Sequence, residues 1–124
     1  MENFRSALER HLQAIVDKDI KAFSEFLHPK HESVLILPKG VMVKGYDDIL
    51  QWHTDWFNDP DWHMEINIMD AFCVEDMGYS LMSITYNDLD KDKVHYMMLY
   101  LLSIVLVKID GKWILARNQN TMFK

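Results

Sequence analysis

The segment from Val94 to Thr121 constrains the fold most. It is a long apolar run, an Asp110-Gly111 pair, and a second run closing in Arg117-Asn118-Gln119-Asn120-Thr121. Asp-Gly between two β-type runs signals a hairpin with a type I′ turn, because both central residues of that turn need positive φ. The first strand is apolar on both faces, with Tyr96, Met98, Tyr100, Leu102, Ile104 and Leu106 on one and Met97, Leu99, Leu101, Val105 and Val107 on the other. A sheet covered by one layer of helices shows its other face to water and alternates apolar with polar residues. Here both faces need cover. One layer of helices covers one of them, and a second copy of the chain, forming a homodimer, is the expected cover for the other.

A chain of 124 residues with 49% apolar content suits one domain spanning residues 1–124, large enough for a core and too small for two. The formal charge of −6, without any cluster of Lys and Arg, argues against nucleic acid or an anionic membrane surface as partner. Met1-Glu2-Asn3-Phe4-Arg5 lacks the basic and apolar regions of a signal peptide, and the apolar part of Val94 to Val107 is shorter than the roughly 20 residues of a spanning helix. A soluble cytoplasmic protein is expected. Cys73 is the only cysteine, which excludes an intrachain disulfide and a multi-thiolate metal site.

In chain order, Phe4, Leu8, Leu12 and Ile15, flanked by Ala7, His11 and Val16, have the spacing of an amphipathic helix. Asp17 to Asp19 interrupts it, and a shorter helix carrying Ile20, Phe23 and Leu27 runs to about His28, before Pro29. Val34 to Leu37 and Val41 to Val43 form a small hairpin around Pro38-Lys39-Gly40. A third helix follows Tyr46, with Asp47 or Asp48 as a cap and Ile49, Trp52, His53, Trp56 and Phe57 as its stripe. Three long β-type stretches complete the chain: Trp62 to Val74, Tyr79 to Leu89, and the hairpin that begins at Val94. The order α-α-β-β-α-β-β-β-β, helices early and strands late, defines an α+β arrangement.

The Val16-Asp17-Lys18-Asp19-Ile20 joint, the Leu37-Pro38-Lys39-Gly40 hairpin, the Lys44-Gly45-Tyr46-Asp47-Asp48-Ile49 helix start and the closing Gly111-Lys112-Trp113-Ile114-Leu115 strand resemble the nuclear transport factor 2-like superfamily, and within it the SnoaL-like branch. The resemblance covers nearly the whole chain and implies a curved antiparallel sheet wrapped by three helices into a cone, with an apolar pocket and usually a homodimer. It also implies that the proton-shuttling aspartate of ketosteroid isomerase relatives, which precedes a proline of the first hairpin, is replaced by Leu37. A leucine cannot abstract a proton. By the same resemblance His11 occupies the place of those enzymes' oxyanion-donating tyrosine, where an imidazole N–H can donate instead. Relatives often end the last strand in Asp-Gln-Asn-Thr; this chain carries Asn118 at the first position.

Other candidates come from the residues themselves. His53, between Trp52 and Trp56, faces or borders the pocket; apolar surroundings would lower its pKa and leave a neutral base or hydrogen-bonding group, while the plainer alternative is a core histidine bonded to a backbone carbonyl. Trp52, Trp56 and Phe57 suit core and pocket wall better than a cation cage. Asp70 shares the parity of Met64, Ile66, Ile68 and Phe72, so it interrupts an apolar face and would need a partner there. Tyr86, Asn118 and Asn120 add hydrogen-bonding groups, and Asp88 and His95 flank a turn closely enough to form a surface ion pair.

The six histidines show no pair at helix or strand spacing that sets two imidazoles side by side, so neither a metal nor another cofactor is expected. Phosphate-binding loops and nucleophile elbows are absent from the sequence. The favoured function is binding of a small apolar molecule in the cone, with catalysis left open. Two alternatives stand beside it. One is a pocket enzyme of isomerase, dehydratase or hydrolase type with His53 or Asp70 as catalytic group; the other is a non-catalytic homodimeric association module with its cone plugged by its own aromatic side chains. An open cavity with His53 or Asp70 facing it favours chemistry, and a plugged one favours association.

Overall fold

The computed structural model describes residues 2–123. Its first helix, α1 (Phe4–Val16), begins where the Asn3 side chain accepts a hydrogen bond from the Ser6 amide at 2.8 Å, satisfying one of the free donors of the first turn. The face bearing Phe4, Ala7, Leu8, His11, Leu12 and Ile15 is buried. Lys18, at φ 56°, turns the chain, and Asp19 then caps α2 (Ile20–Ser24) by accepting from Ala22 N at 3.0 Å. Lys18 Nζ lies 4.1 Å from the centre of the Trp62 ring and donates to Asp59 O at 2.6 Å, tying this corner to the end of the third helix.

After β1 (Val34–Ile36) and β2 (Met42–Lys44), Gly45 adopts φ 88° as the N-cap of α3 (Tyr46–Phe57). No side chain caps that helix. Asp47 and Asp48 lie in its first turn, where their charge meets the positive end of the helix dipole, so the expected aspartate cap is replaced by a glycine. The long strands β3 (His63–Val74), β4 (Met77–Leu89), β5 (His95–Ile109) and β6 (Lys112–Met122) complete the chain.

The six strands form one curved, open sheet in the order β2-β1-β6-β5-β4-β3. All neighbours are antiparallel except β1 and β6, which run parallel, with Leu35 opposite Asn118. This one parallel contact brings the first hairpin alongside the last strand. Asp110 (φ 52°) and Gly111 (φ 80°) make the β5–β6 turn, both in the left-handed region that type I′ demands.

One face of the sheet lies under the helices, with Met82, Ile84, Ile104 and Leu106 fully buried. Phe4 sits directly on Gly78 of β4, where a Cβ would come within 2.2 Å of its ring. The opposite face exposes Phe72, Met77, Tyr79, Met97 and Leu99. Both faces of β5 are apolar as its sequence requires, and only one is covered within the chain.

Asp70 departs from the sequence reading. The register of β3 on β4 slips between Ile68, paired with Met82, and Asp70, paired with Leu81, so a bulge at Met69 reverses the parity. Asp70 is therefore on the outer face and exposed, and Phe72 with it.

Gly111→Val tests the turn. Nothing lies within 4 Å of a Cβ at this position, so the cost is the β-branched residue's own strain at positive φ, on the order of 1–3 kcal/mol. The denaturant midpoint should fall accordingly; an unchanged midpoint would contradict the turn geometry.

Candidate functional site

Between α3 and the inner face of the sheet lies an open cavity of about 430 Å³, within the range of about 300–1,000 Å³ usual for ligand sites. Trp52, His53 and Trp56 come from α3, Met98, Tyr100 and Leu102 from β5, and Asn118, Asn120 and Met122 from β6. Leu37, Pro38, Lys39 and Val41 of the first hairpin border it. Trp56 stacks on Trp62 with ring centres 4.1 Å apart and planes 11° from parallel, which fixes a flat aromatic wall.

His53 is 1% exposed. Its Nδ1 lies 2.8 Å from the Ile49 carbonyl, one helical turn back, and because a carbonyl only accepts, Nδ1 carries the proton. Nε2 is left as a lone-pair acceptor, without a hydrogen-bond partner among the described residues, on a residue that lines the cavity. Phe23 stacks on the ring at 3.9 Å. Burial disfavours the imidazolium and pushes the pKa down to about 4, against a smaller opposing effect of the Ile49 carbonyl. At neutral pH this group is an imidazole that accepts a hydrogen bond, and its low basicity suits it better to holding a ligand than to removing a proton.

His11 lies in the core and is absent from the cavity lining. It is packed between Phe23 and Phe26, with ring centres 5.3 and 4.6 Å away, and both its nitrogens are buried without partners. Burial first, then the neighbouring His53 and Arg10, lowers its pKa to about 3. Phe57 is likewise buried outside the lining. Of the residues singled out from the sequence, Trp52, His53, Trp56, Tyr86, Asn118 and Asn120 meet at the cavity, while His11, Phe57 and Asp70 do not. Leu37 contributes an apolar side chain to the lining.

Tyr86 donates to Asp88 Oδ2 at 2.6 Å and accepts a long contact from Trp56 Nε1 at 3.5 Å. Burial and the Asp88 carboxylate together raise the pKa of its phenol. Asp88, 8% exposed, also accepts from Tyr96 and from the Leu89 amide. Its partner is thus not His95, whose Nε2 meets Asn87 at 2.9 Å: in a strand, Asp88 and Asn87 point to opposite faces, and His95 shares the face of Asn87.

Tyr100 was not anticipated. It is 5% exposed, its phenol makes no hydrogen bond among the described residues, and burial raises its pKa. The signal was present: a tyrosine on the inner face of a strand apolar on both sides needs an outlet for its hydroxyl, and the cavity supplies one. Among the described residues no group of three or more His, Cys, Asp or Glu comes together to hold a metal, and no helix is long and apolar enough to cross a membrane.

Residues 5–122 match the SnoaL-like domain, and the chain belongs to that family. A comparison with curated proteins returned no match. Among solved structures, a ketosteroid isomerase-like protein from Erwinia carotovora atroseptica superposes with a TM-score of 0.79 at 19% identity, covering 97% of this chain and 93% of that one. A nuclear transport factor 2-like superfamily protein from Salmonella enterica gives 0.74 at 13% identity, with 94% and 85% covered. The association domain of C. elegans CaMKII gives 0.65 at 17% identity, with 93% and 89% covered. At these identities the likeness establishes the fold, the cone of the nuclear transport factor 2-like superfamily, and leaves function to the site.

The two buried histidines make stability pH-dependent. Unfolded, each titrates near 6.5; folded, near 3 and 4, so below pH 6.5 the unfolded chain takes up protons that the folded chain refuses. Stability is therefore full above pH 6.5 and falls as the pH drops toward 4. Between pH 7 and 5 the loss is about 2 kcal/mol per histidine. His11→Phe, which removes two unpartnered nitrogens from an aromatic cluster, should lose less over that interval in urea denaturation; equal losses would contradict the assignment.

Proposed function

We propose that the chain binds a small apolar molecule in the cone. The observation that carries this reading is the open cavity itself, walled by Trp52, Trp56, Met98 and Leu102 and offering a few neutral polar groups. An open cavity with His53 on its wall is the arrangement that favours chemistry, but Asp70 faces away, Leu37 is apolar where the resemblance puts the isomerase base, and His53 is a weak base, so we favour holding over turnover. We keep the cytoplasm as the proposed location, supported by the single exposed cysteine, Cys73.

The same reading includes a homodimer through the outer face of the sheet. Phe72, Tyr79, Met97 and Leu99 form an exposed apolar surface on β3, β4 and β5 that a second copy would cover. The likeness to an association domain supports self-assembly on this scaffold, and the open cavity sets the chain apart from a module with a plugged cone.

N-phenyl-1-naphthylamine, a neutral apolar dye, tests the cavity. One saturable site per chain is expected by fluorescence, with affinity falling at least about tenfold in Leu37→Trp, which narrows the rim at a partly exposed position. Absence of saturable binding to the native chain would contradict the proposal. For the dimer, sedimentation equilibrium at micromolar concentration should give twice the chain mass, and Leu99→Glu should shift it toward the monomer. A native monomer would refute the interface.

A further inference from the structure

The outer face of the sheet carries opposite charges at its two flanks. On β3 the exposed Asp70 points outward beyond the bulge at Met69, with Phe72 next to it on the same face. On β6 the exposed Arg117 points outward too, because its neighbour Asn118 lines the cavity on the inner face and side chains alternate along a strand. Neither has an ion-pair or hydrogen-bond partner among the described residues. Phe72 lies opposite Tyr79, Tyr79 opposite Val105, and Val105 opposite Arg117, so Arg117 is in line with Phe72 and one outward-facing step from the level of Asp70. Three strand spacings, about 14 Å, separate the two charges. They are too far apart to pair within one chain.

Between the flanks the face is largely apolar, with Tyr79 and Leu81 on β4 and Leu99, Leu101 and Val105 on β5. A second copy that covers it is related to the first by a twofold axis lying in the plane between the two sheets. An axis running across the strands lays β3 on β3 and β6 on β6, which gathers like charges at each flank. An axis running along the strands lays β6 of each copy over β3 of the other, and Arg117 then meets Asp70 at both flanks. Packed sheets stand about 10 Å apart, and the two positions are offset by about 7 Å along the strands. A long arginine side chain and a carboxylate bridge that span together. Like charges facing each other across an interface are costly, so the same two residues favour one arrangement and oppose the other.

We propose that Asp70 and Arg117 fix the orientation in which two copies of the chain associate, the arginine of each copy pairing with the aspartate of the other. This rests on the reading that a second copy covers the outer face, and adds how that copy lies. The bulge at Met69 is what puts the carboxylate on this face.

Charge exchange tests it by sedimentation equilibrium. Asp70→Arg and Arg117→Asp each set like charges together at both flanks, and each should weaken self-association at least about tenfold. The chain carrying both substitutions restores opposite charges and should dimerise within about threefold of the native chain. A mixture of the two single variants should form a heterodimer, since one then presents two cations and the other two anions. Asp70→Asn, which removes a charge without reversing it, should weaken association less than Asp70→Arg. Both positions are exposed and unpartnered among the described residues, so these changes leave the fold intact. A native dimer whose single variants dimerise equally well, or whose double variant and mixture both fail to recover, would overturn the inference and leave the dimer standing. A native chain that is monomeric at micromolar concentration would overturn both.

Discussion

The apolar character of both faces of β5 is the constraint on which the rest of the structure depends. A strand of this kind leaves an apolar face at the solvent boundary unless its sheet is covered twice. The helices supply one cover, and they do it unevenly. α1 packs so closely that Phe4 rests on the backbone at Gly78, whereas α3, with its bulky Trp52, His53 and Trp56, leaves a cavity over Tyr100 and Leu102. Cavity and outer apolar surface are thus two consequences of one strand.

Within the cavity, burial decides the chemistry. His53 stays uncharged because desolvation outweighs the pull of the Ile49 carbonyl, and Tyr86 and Tyr100 hold their protons chiefly through burial. The cone is therefore lined by neutral donors and acceptors whose directions are set by backbone carbonyls at Ile49 and Ile36. Such a wall presents a shape and a hydrogen-bond sense. It offers little driving force for proton transfer at neutral pH.

Much of this was legible in the sequence because it is written in local patterns. The Asp110-Gly111 turn, the three helical stripes and the doubly apolar strand follow from periodicity and backbone preference, and the aromatic stripe of α3 placed His53 at the cavity. What escaped depends on features without a local signature. The bulge at Met69 carried Asp70 to the outer face, because one extra residue reverses parity and no residue type marks it. Asp88 turned inward to Tyr86, leaving His95 to Asn87, a choice settled by which face of β4 each residue occupies. His11 and Phe57 share helical faces with the lining residues Ile15 and His53 yet do not reach the cavity, a placement that spacing does not encode. The orientation of the Asn118 and Asn120 amides rests on Ile36, 82 and 84 positions earlier in the chain, reached only through the parallel pairing of β1 with β6.

The central claim is that burial keeps the cavity's polar groups neutral and fixed in direction. Nitrogen NMR of the histidine side chains tests it most directly. At pH 6, where an exposed histidine is largely protonated, His53 should still be neutral, with its proton on Nδ1 and none on Nε2. A charged His53 ring at that pH, or a proton resident on Nε2, would contradict the account.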